Sequence, residues 1–284
     1  MKNYSALIID LKGSRAYSVE DRNSIQNYIL TVIGQLNSVF SRAVIRKVEF
    51  SAGDEVQGLF GSAAAAYLYV RMFYMLVSPV ETRAGIGVGE WNVKIKHAST
   101  TAQDGPAYHN ARYAIENVKN ALGYPLLLYS GNENDIFLNA VMSTPFALTR
   151  GHSEYQNELM LLSELLYPID LRQTVDYGKI SLIADLVTSK NKLNYYMYCK
   201  NNRSVKKYPF DELEYKDFEP FPIEAATDQS TFYISGGKKR GMVTQLSEIL
   251  NISRQSIEKT FKTANIYEAR NSTILALKFM DKYL

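Results

Sequence analysis

Residues 43–60, AVIRKVEFSAGDEVQGLF, decide the fold that we expect for this chain. β-Branched and aromatic residues on both sides of the central SAGDE favour two strands. Gly53 suits the left-handed backbone of a tight turn, and Asp54 tolerates turn geometry. The stretch therefore predicts a β-hairpin that carries two adjacent carboxylates, those of Asp54 and Glu55, at its tip.

The acidic tip of this hairpin has two interpretations. It is either a plain solvated turn or a site where a divalent cation removes the repulsion between the carboxylates. Mg²⁺ is typically held by one or two carboxylates together with substrate phosphates. A further carboxylate, Asp10, ends the apolar strand predicted for residues 4–11. If that strand lies beside the hairpin, Asp10 and Asp54 converge on one ion.

The chain leaves the predicted first strand through Lys12, Gly13 and Ser14. This is a basic loop at the rim of a sheet, and open sheets bind their ligands at such rims. These three residues are therefore candidate ligand-binding residues.

Serines predict the starts of two helices in this half of the chain. Ser18 precedes acidic residues and then apolar residues at helical spacing. Ser62 precedes a strongly apolar helix over residues 62–77, which is too short for a membrane span and indicates a packed core helix.

Residues 80–91 alternate as in a strand and place Gly85, Gly87 and Gly89 on one face, with Arg83 on the same face. A face without side chains has two interpretations. Either another element crosses the strand closely, or a planar ligand approaches it. On the second interpretation Arg83 and Gly85 are ligand-binding residues.

A third helix is predicted to open from the turn at residues 104–109, to run through Leu122 and to end at Gly123. The free N–H groups at a helix start attract phosphate. The start of this helix is therefore a candidate phosphate-binding site (the phosphate seat), and Arg112 lies one turn into the helix. A strand is predicted for residues 125–130.

The predicted order is β-α-β-β-α-β-α-β, whose first six elements match the split βαβ plan with helices on one face of a mostly antiparallel sheet. The expected fold class is α+β, with a ferredoxin-like domain over residues 1–132. A helical connector is predicted for residues 133–170. A mostly helical region is predicted for residues 171–284.

The last region contains a weak internal repeat. Residues 178–193 align with residues 241–257, and both copies are typical of a helix–turn–helix unit. The unit at residues 241–265 is the stronger one, with a turn at Asn251 and a second helix capped by Ser253. Besides Ser253, the candidate DNA-binding residues on this second helix are Arg254, Gln255, Lys259 and Lys262, residue types that read base edges or contact phosphates.

A plain helical bundle is the alternative for both copies. Between them, residues 200–221 are dense in charged and aromatic residues with prolines, which indicates a linker or an extended insertion.

Composition limits the class of protein. The chain has 284 residues, a net charge of +3 and one cysteine, Cys199. One cysteine excludes an internal disulfide and a cysteine-rich zinc site. We find neither a signal peptide nor an apolar stretch of membrane-spanning length. We therefore expect a cytoplasmic protein without a membrane partner.

Four blocks, IIDLKGSR, SAGDEVQGLF, RAGIGVGEW and DGPAYHNARYA, resemble in their order the palm domain of class III nucleotidyl cyclases and GGDEF-type proteins. The whole chain resembles the SatD family, with such a palm followed by a helix–turn–helix. The resemblance implies that Asp10 and Asp54, with the carbonyl of Leu11, hold Mg²⁺ or Mn²⁺ against a nucleoside triphosphate, and that Arg112 joins these two acids in catalysis. The implied nucleotide-binding residues are Lys12, Gly13, Ser14, Glu55, Arg83 and Gly85.

Three functions are compatible with these patterns. The first is a transcriptional or signalling regulator whose palm binds a nucleotide and Mg²⁺ and whose helix–turn–helix binds DNA. It would be a homodimer, because palm domains of this type pair and a dimer fits a two-fold DNA site. The second is an enzyme, a nucleotidyl cyclase or oligonucleotide synthase that uses two metal ions. The third is an interaction protein with a degenerate palm.

Overall fold

The structure is a computed structural model that describes residues 2–121, 123–192, 195, 219–225 and 234–284. Leu122, which was predicted to lie in the third helix, is outside the described residues. The predicted linker is also outside them as far as residue 218.

In the described part of the chain, seven strands form two sheets and nine α-helices pack around them. The strands are β1 Tyr4–Leu11, β2 Val44–Ala52, β3 Glu55–Phe60, β4 Thr82–Gly89, β5 Leu126–Tyr129, β6 Ile169–Asp170 and β7 Ile223–Glu224. The helices are α1 Val19–Val39, α2 Ala63–Val77, α3 Pro106–Asn120, α4 Asp135–Thr149, α5 Glu154–Leu166, α6 Ser181–Lys192, α7 Met242–Leu250, α8 Arg254–Thr263 and α9 Ile266–Tyr283. The fold is mixed α/β.

The predicted helix starts and hairpin are confirmed. The Ser18 side chain accepts a hydrogen bond from the Asp21 N–H at 3.0 Å, and Ser62 accepts one from the Ala65 N–H at 3.3 Å. Such caps satisfy N–H groups that a helix start leaves without an intrahelical partner. Gly53 has a φ of 61° in the turn between β2 and β3, as its position predicted.

The larger sheet has the strand order β2-β3-β1-β4-β5. The central strand β1 runs antiparallel to β3 and β4, and β5 runs parallel to β4. In this register Asp10 lies opposite Glu55 on one side and opposite Arg83 on the other. The sheet therefore sets these three charged residues in one row.

Different helices cover the two faces of this sheet. Leu7, Ile9 and Leu11 of β1 lie in the core that includes α1 and α2, whereas Ala6 and Ile8 lie in a second core with α3. α1 and α2 share one face, as expected. α3 closes the opposite face, which the expectation of helices on one face had left open.

The glycines of β4 explain how α3 comes so close. A Cβ atom at Gly85 would lie 2.5 Å from the backbone N of Ile115, and one at Gly87 would lie 2.0 Å from the backbone N of Ala111. The bare face of β4 is therefore a packing face. The prediction that a ligand approaches Gly85 on this face is wrong, because α3 occupies that space.

Three charged side chains tie the sheet layer to the C-terminal helices. Arg71 of α2 and Arg270 of α9 both form ion pairs with Glu164 of α5, and the Arg71–Glu164 distance is 2.6 Å. All three side chains are buried, with exposed fractions of 4%, 0% and 1% for Arg71, Arg270 and Glu164. Burial alone would raise the pKa of Glu164, but the two guanidinium groups outweigh it and hold the pKa below its ordinary value.

The weaker copy of the predicted repeat is not two helices. Its described residues from Ser181 to Lys192 form the single helix α6. The hydroxyls of Thr188 and Ser189, near the predicted turn, donate to the carbonyl oxygens of Ala184 and Asp185 within the helix. They therefore do not cap a second helix. Among the described helices, none is both long and apolar enough to cross a membrane.

Candidate functional site

The two acids predicted to bind a metal lie close together at one end of the larger sheet. Asp10 is the penultimate residue of β1, and Asp54 lies in the two-residue turn between β2 and β3. The Leu11 N–H donates to the Asp54 carbonyl oxygen at 3.3 Å, which ties the hairpin turn to the end of β1. Strand pairing, not sequence proximity, brings these residues together.

The loop after β1 fixes the Asp54 side chain. Ser14 is buried, and its hydroxyl donates to Asp54 Oδ2. Arg22 Nε of α1 donates a hydrogen bond to the Ser14 carbonyl oxygen at 3.1 Å, which anchors the loop to α1. Gly13, at a φ of 72°, makes the turn that allows this. Within the described residues, Asp54 Oδ1 has no hydrogen-bond partner and is available to a ligand.

Asp10 lies among charges of both signs. Burial raises the pKa of Asp10, and the carboxylates of Asp54 and Glu55 raise it further, while Lys119 and Arg83 oppose the increase. Lys119 Nζ lies 4.0 Å from Asp10 Oδ1. Adjacent carboxylates disfavour joint ionisation unless positive charge is near. A cation between Asp10 and Asp54 would relieve this repulsion.

Glu55 and Arg112 bind each other. Two guanidinium nitrogens of Arg112 donate to the two carboxylate oxygens of Glu55, at 2.7 Å and 2.8 Å. Burial would raise the pKa of Glu55, but the bonds from Arg112 outweigh it and hold the pKa below its ordinary value. Glu55 was predicted to bind nucleotide and Arg112 to act in catalysis, and each is engaged by the other in this conformation.

An open cleft of about 530 Å³ lies on the Asp10 side of the acid pair; Arg83 and Lys119, the neighbours of Asp10, line it, but Asp10 and Asp54 themselves do not. Lys12, Arg83, Lys119 and Arg150 line it, together with Glu81, which pairs with Lys12 at 2.6 Å. The Arg83 guanidinium has no hydrogen-bond or ion-pair partner among the described residues. The volume is typical of small-molecule sites, which span about 300–1,000 Å³. The cleft carries an excess of positive charge next to a pair of acids.

The chemistry of the acid pair limits the kind of metal site it can form. The described residues contain no group of three or more His, Cys, Asp or Glu side chains that could hold a metal ion. With Glu55 bound to Arg112, Asp10 and Asp54 remain. Two carboxylates suit Mg²⁺ or Mn²⁺ that arrives with a phosphate ligand, but not a metal enclosed entirely by protein. The carbonyl of Leu11 stays a predicted third ligand.

The predicted phosphate seat at the start of α3 is separate from the acid pair. Gly89, at one end of β4, contacts Pro106 at the start of α3. Arg83, near the other end of β4, lies opposite Asp10. The helix N-terminus and the acid pair therefore lie at opposite ends of the sheet, so the candidate phosphate seat is not part of the same site as the acids. The C-terminal half of α3 is what reaches the acids.

Two cleft residues were not predicted from the sequence. Lys119 lies two turns after Arg112 on α3, so the helical period offered a signal for it. Arg150 follows α4, and only the folded chain brings it to the cleft; no sequence pattern indicates it.

A second basic surface lies on the C-terminal helices. Ser253 caps α8 by accepting a hydrogen bond from the Ser256 N–H at 3.2 Å, as predicted, and Asn251 at the end of α7 has a φ of 50°. The five predicted DNA contacts are all exposed: Ser253 as the cap, and Arg254, Gln255, Lys259 and Lys262 within α8. The four within α8 line an open groove of about 970 Å³ together with Lys238, Lys239 and Arg240. Among the described residues, Glu258 is the one acidic residue in the lining of this groove, and the lysines and arginines outnumber it. The groove is therefore strongly cationic.

Comparison with known protein families matched residues 4–189 to the SatD family. The chain belongs to the SatD family. The SatD match runs from β1 into α6, so it includes the acid pair and the cationic cleft. Helices α7, α8 and α9 lie beyond the matched residues. No curated protein matched the chain.

Proposed function

We propose that this SatD-family protein is a transcriptional or signalling regulator in which a palm that binds a nucleotide and Mg²⁺ controls DNA binding by a helix–turn–helix. One observation carries the proposal: Asp10 and Asp54 lie close together, and Arg83, which lies opposite Asp10 in the sheet, has no hydrogen-bond or ion-pair partner among the described residues. A Mg²⁺-nucleotide complements both halves of this arrangement, because it presents a cation to the acids and phosphates to the basic residues.

The order of elements in the first domain supports a palm of the nucleotidyl cyclase type. β1-α1-β2-β3-α2-β4 follows the ferredoxin-like split βαβ plan. Asp10 at the end of β1 and Asp54 in the hairpin stand where the palm resemblance places metal-binding acids.

Each residue has a defined role in this proposal. Asp10 and Asp54 would hold Mg²⁺ or Mn²⁺, and Ser14 orients Asp54 through its hydrogen bond. When bound, the ion would neutralise charge on the phosphate oxygens. Lys12, Arg83 and Lys119 add positive charge on the cleft side, where Arg can bind phosphate through two parallel hydrogen bonds.

The C-terminal helices support the DNA-binding half. α7 and α8 are joined by the turn at residues 251–253, and α8 presents an exposed face with Arg254, Lys259 and Lys262, the last of which has its Nζ 3.7 Å from Glu258 Oε1. A helix of this kind enters a DNA groove with Arg254 and Gln255 near its start, while Lys259 and Lys262 suit phosphates. We further propose a cytoplasmic homodimer, whose symmetry would match two half-sites.

The regulator is favoured over an active cyclase because Arg112 is committed to Glu55. An arginine held in a two-point ion pair with a protein carboxylate must exchange that partner before it can stabilise a reacting phosphate. Nucleotide binding requires no such exchange, because Arg83 is unpaired among the described residues.

The test compares wild type with Asp54→Asn, and with Asp185→Asn as a matched exposed-acid control on α6. Melting temperature is measured with Mg²⁺ and each of the four nucleoside triphosphates, nucleotides are analysed by chromatography, and DNA retention is measured at low salt. The regulator predicts a metal-dependent rise that Asp54→Asn alone abolishes, unchanged triphosphate, and retained DNA. A new nucleotide product that Asp54→Asn abolishes would establish the enzyme instead. Absence of both a thermal shift and DNA retention would favour the interaction protein.

A further inference from the structure

We propose that the cationic cleft is an effector site for a phosphate group and that its occupancy is transmitted to α8 through the loop formed by Arg150, Gly151 and His152. The proposal rests on the proposed function in taking α8 as the helix that contacts DNA and in using the same cleft for phosphate. It adds Arg150 to the phosphate-binding residues and a physical route from the cleft to the C-terminal helices.

The cleft has unused capacity for an anion. Lys12 is paired with Glu81, but Arg83 has no ion-pair or hydrogen-bond partner among the described residues. Lys119 is 4.0 Å from Asp10, at the limit of an ion pair. Arg150 donates one hydrogen bond, to the Gly123 carbonyl oxygen at 3.1 Å. A phosphate accepts charge-assisted hydrogen bonds from arginine that are stronger than a bond to a neutral carbonyl.

The loop that carries Arg150 is short and lies on the cleft wall. It connects the end of α4 at Thr149 to the start of α5 at Glu154, and Thr149, Arg150, Gly151 and His152 all line the cleft. Arg150 lies two residues before His152, so in the proposed route a phosphate that draws Arg150 from Gly123 shifts the loop next to His152.

His152 connects this loop to α8. Its Nε2 lies 2.7 Å from the carbonyl oxygen of Ala264, the residue that caps the end of α8. A carbonyl only accepts, so Nε2 carries the proton and donates. Nδ1 is buried without a hydrogen-bond partner among the described residues. Burial also lowers the pKa of His152, which keeps the ring neutral near pH 7. The ring is thus a fixed contact between the cleft loop and the end of α8.

A ligand shifts a conformational equilibrium only by its different affinity for the two states. Here the difference would come from Arg150, which bonds either Gly123 or the phosphate. Coupling between two sites typically changes affinity about 5- to 150-fold, and it is reciprocal. A phosphate ligand should therefore alter α8, and DNA bound to α8 should alter phosphate affinity by the same factor.

The experiment uses the full chain and sodium triphosphate with Mg²⁺ as the probe. Calorimetry measures triphosphate affinity, and hydrogen exchange measures the α8 amides with and without triphosphate. Arg83→Ala should weaken triphosphate binding more than 10-fold by removing the unpaired guanidinium, whereas Lys96→Ala, an exposed lysine outside the cleft, should not.

His152 is tested as a positioning residue by a matched pair. His152→Leu removes the donor to Ala264 and should abolish the triphosphate-dependent change in α8 exchange while triphosphate still binds. His152→Gln retains a donor and should preserve the change. If His152→Leu does not fold, Arg83→Ala and His152→Gln still decide the matter: at a triphosphate concentration that just saturates wild type, the proposal requires a clearly smaller change in Arg83→Ala and a full change in His152→Gln.

Three results would overturn the proposal: no triphosphate binding by wild type, binding without any change in α8 exchange, or a full change in His152→Leu. The exchange readout contains no DNA, so it succeeds or fails independently of DNA retention. Loss of DNA retention with an intact exchange response would refute the proposed function and leave this transmission standing.

Discussion

Gly87→Ala should strongly destabilise the protein, because β4 and α3 approach each other at this position backbone to backbone. The added Cβ would lie 2.0 Å from the Ala111 N atom and 2.2 Å from the Ala107 carbonyl oxygen. Ordinary contacts start at 3.4 Å, so α3 would have to retreat by roughly 1.4 Å. No side chain can rotate to absorb the clash.

The expected size follows from the kind of atoms that clash. Overpacking a core typically costs about 1–3 kcal/mol. A clash with backbone belongs at the upper end, near 3 kcal/mol by the same estimate. The reduced freedom of the unfolded chain offsets up to about 1 kcal/mol of this. We therefore expect a net loss of about 2 kcal/mol or more in the free energy of unfolding.

Urea unfolding of Gly87→Ala beside Gly34→Ala measures this loss. Gly34 is an exposed position inside α1, where an added Cβ would meet nothing within 4 Å. Gly34→Ala should therefore stabilise the protein by up to about 1 kcal/mol through helix propensity. A Gly87→Ala protein as stable as wild type would refute the packing of α3 on β4. It would also reopen the alternative that a ligand uses this bare face.

Three further predictions test other parts of the molecule. Glu164→Gln leaves Arg71 and Arg270 buried without their carboxylate. It should lower the free energy of unfolding, measured by urea titration, by about 3–5 kcal/mol. A loss below about 1 kcal/mol would contradict the ion triad. Because the folded pKa of Glu55 lies below its ordinary value of 4.5, its ion pair with Arg112 adds stability at neutral pH that is lost as pH falls through the folded pKa. The stability advantage of wild type over Glu55→Gln should therefore shrink below pH 4.5, and a pH-independent difference would exclude this ion pair. Arg254→Ala should relax DNA sequence preference, whereas Lys262→Ala should weaken binding to all DNA. In titrations at several salt concentrations, Lys262→Ala should also reduce the slope of log affinity against log salt concentration by about 1. Equal effects of the two variants would contradict the assigned contacts.

Local signals in the sequence were sufficient for the elements that frame the site. Ser18, Ser62 and Ser253 were predicted to cap helices, and each accepts the expected backbone hydrogen bond. Such signals act over three residues, so they can be seen without the fold. The Gly53–Asp54 turn was predictable for the same reason.

The arrangement of elements in space was not predictable in the same way. The glycine face of β4 indicated a close approach but did not say whether a helix or a ligand makes it. The sequence of α3 did not give the direction in which it crosses the sheet, so it did not show that the helix start lies at the end of the sheet away from Asp10. The partners Arg71, Glu164 and Arg270 come from three distant helices, and no spacing rule connects them.

In the candidate site, too, local signals were predictable from the sequence and tertiary contacts were not. Asp10 and Asp54 could be proposed as neighbours because each ends a predicted strand or turn. Their surroundings depend on tertiary contacts: Ser14 orients Asp54, Glu55 is bound by Arg112, and Arg150 reaches the cleft from the end of α4. The two alternatives for the acidic turn therefore differ in what lies around it, and that information comes only from the folded chain.

Calorimetric titration of wild type and Asp54→Asn with each nucleoside triphosphate, with and without Mg²⁺, is the measurement on which the proposed function depends. Asp54→Asn removes one of the two carboxylates and leaves Asp10 as the remaining charged ligand, so the ion beside the phosphates is held less strongly. We predict that wild type binds at least one triphosphate only when Mg²⁺ is present and that Asp54→Asn binds it far more weakly. Equal binding by both proteins, or binding that ignores Mg²⁺, would contradict the assignment of Asp10 and Asp54 as the metal-binding pair.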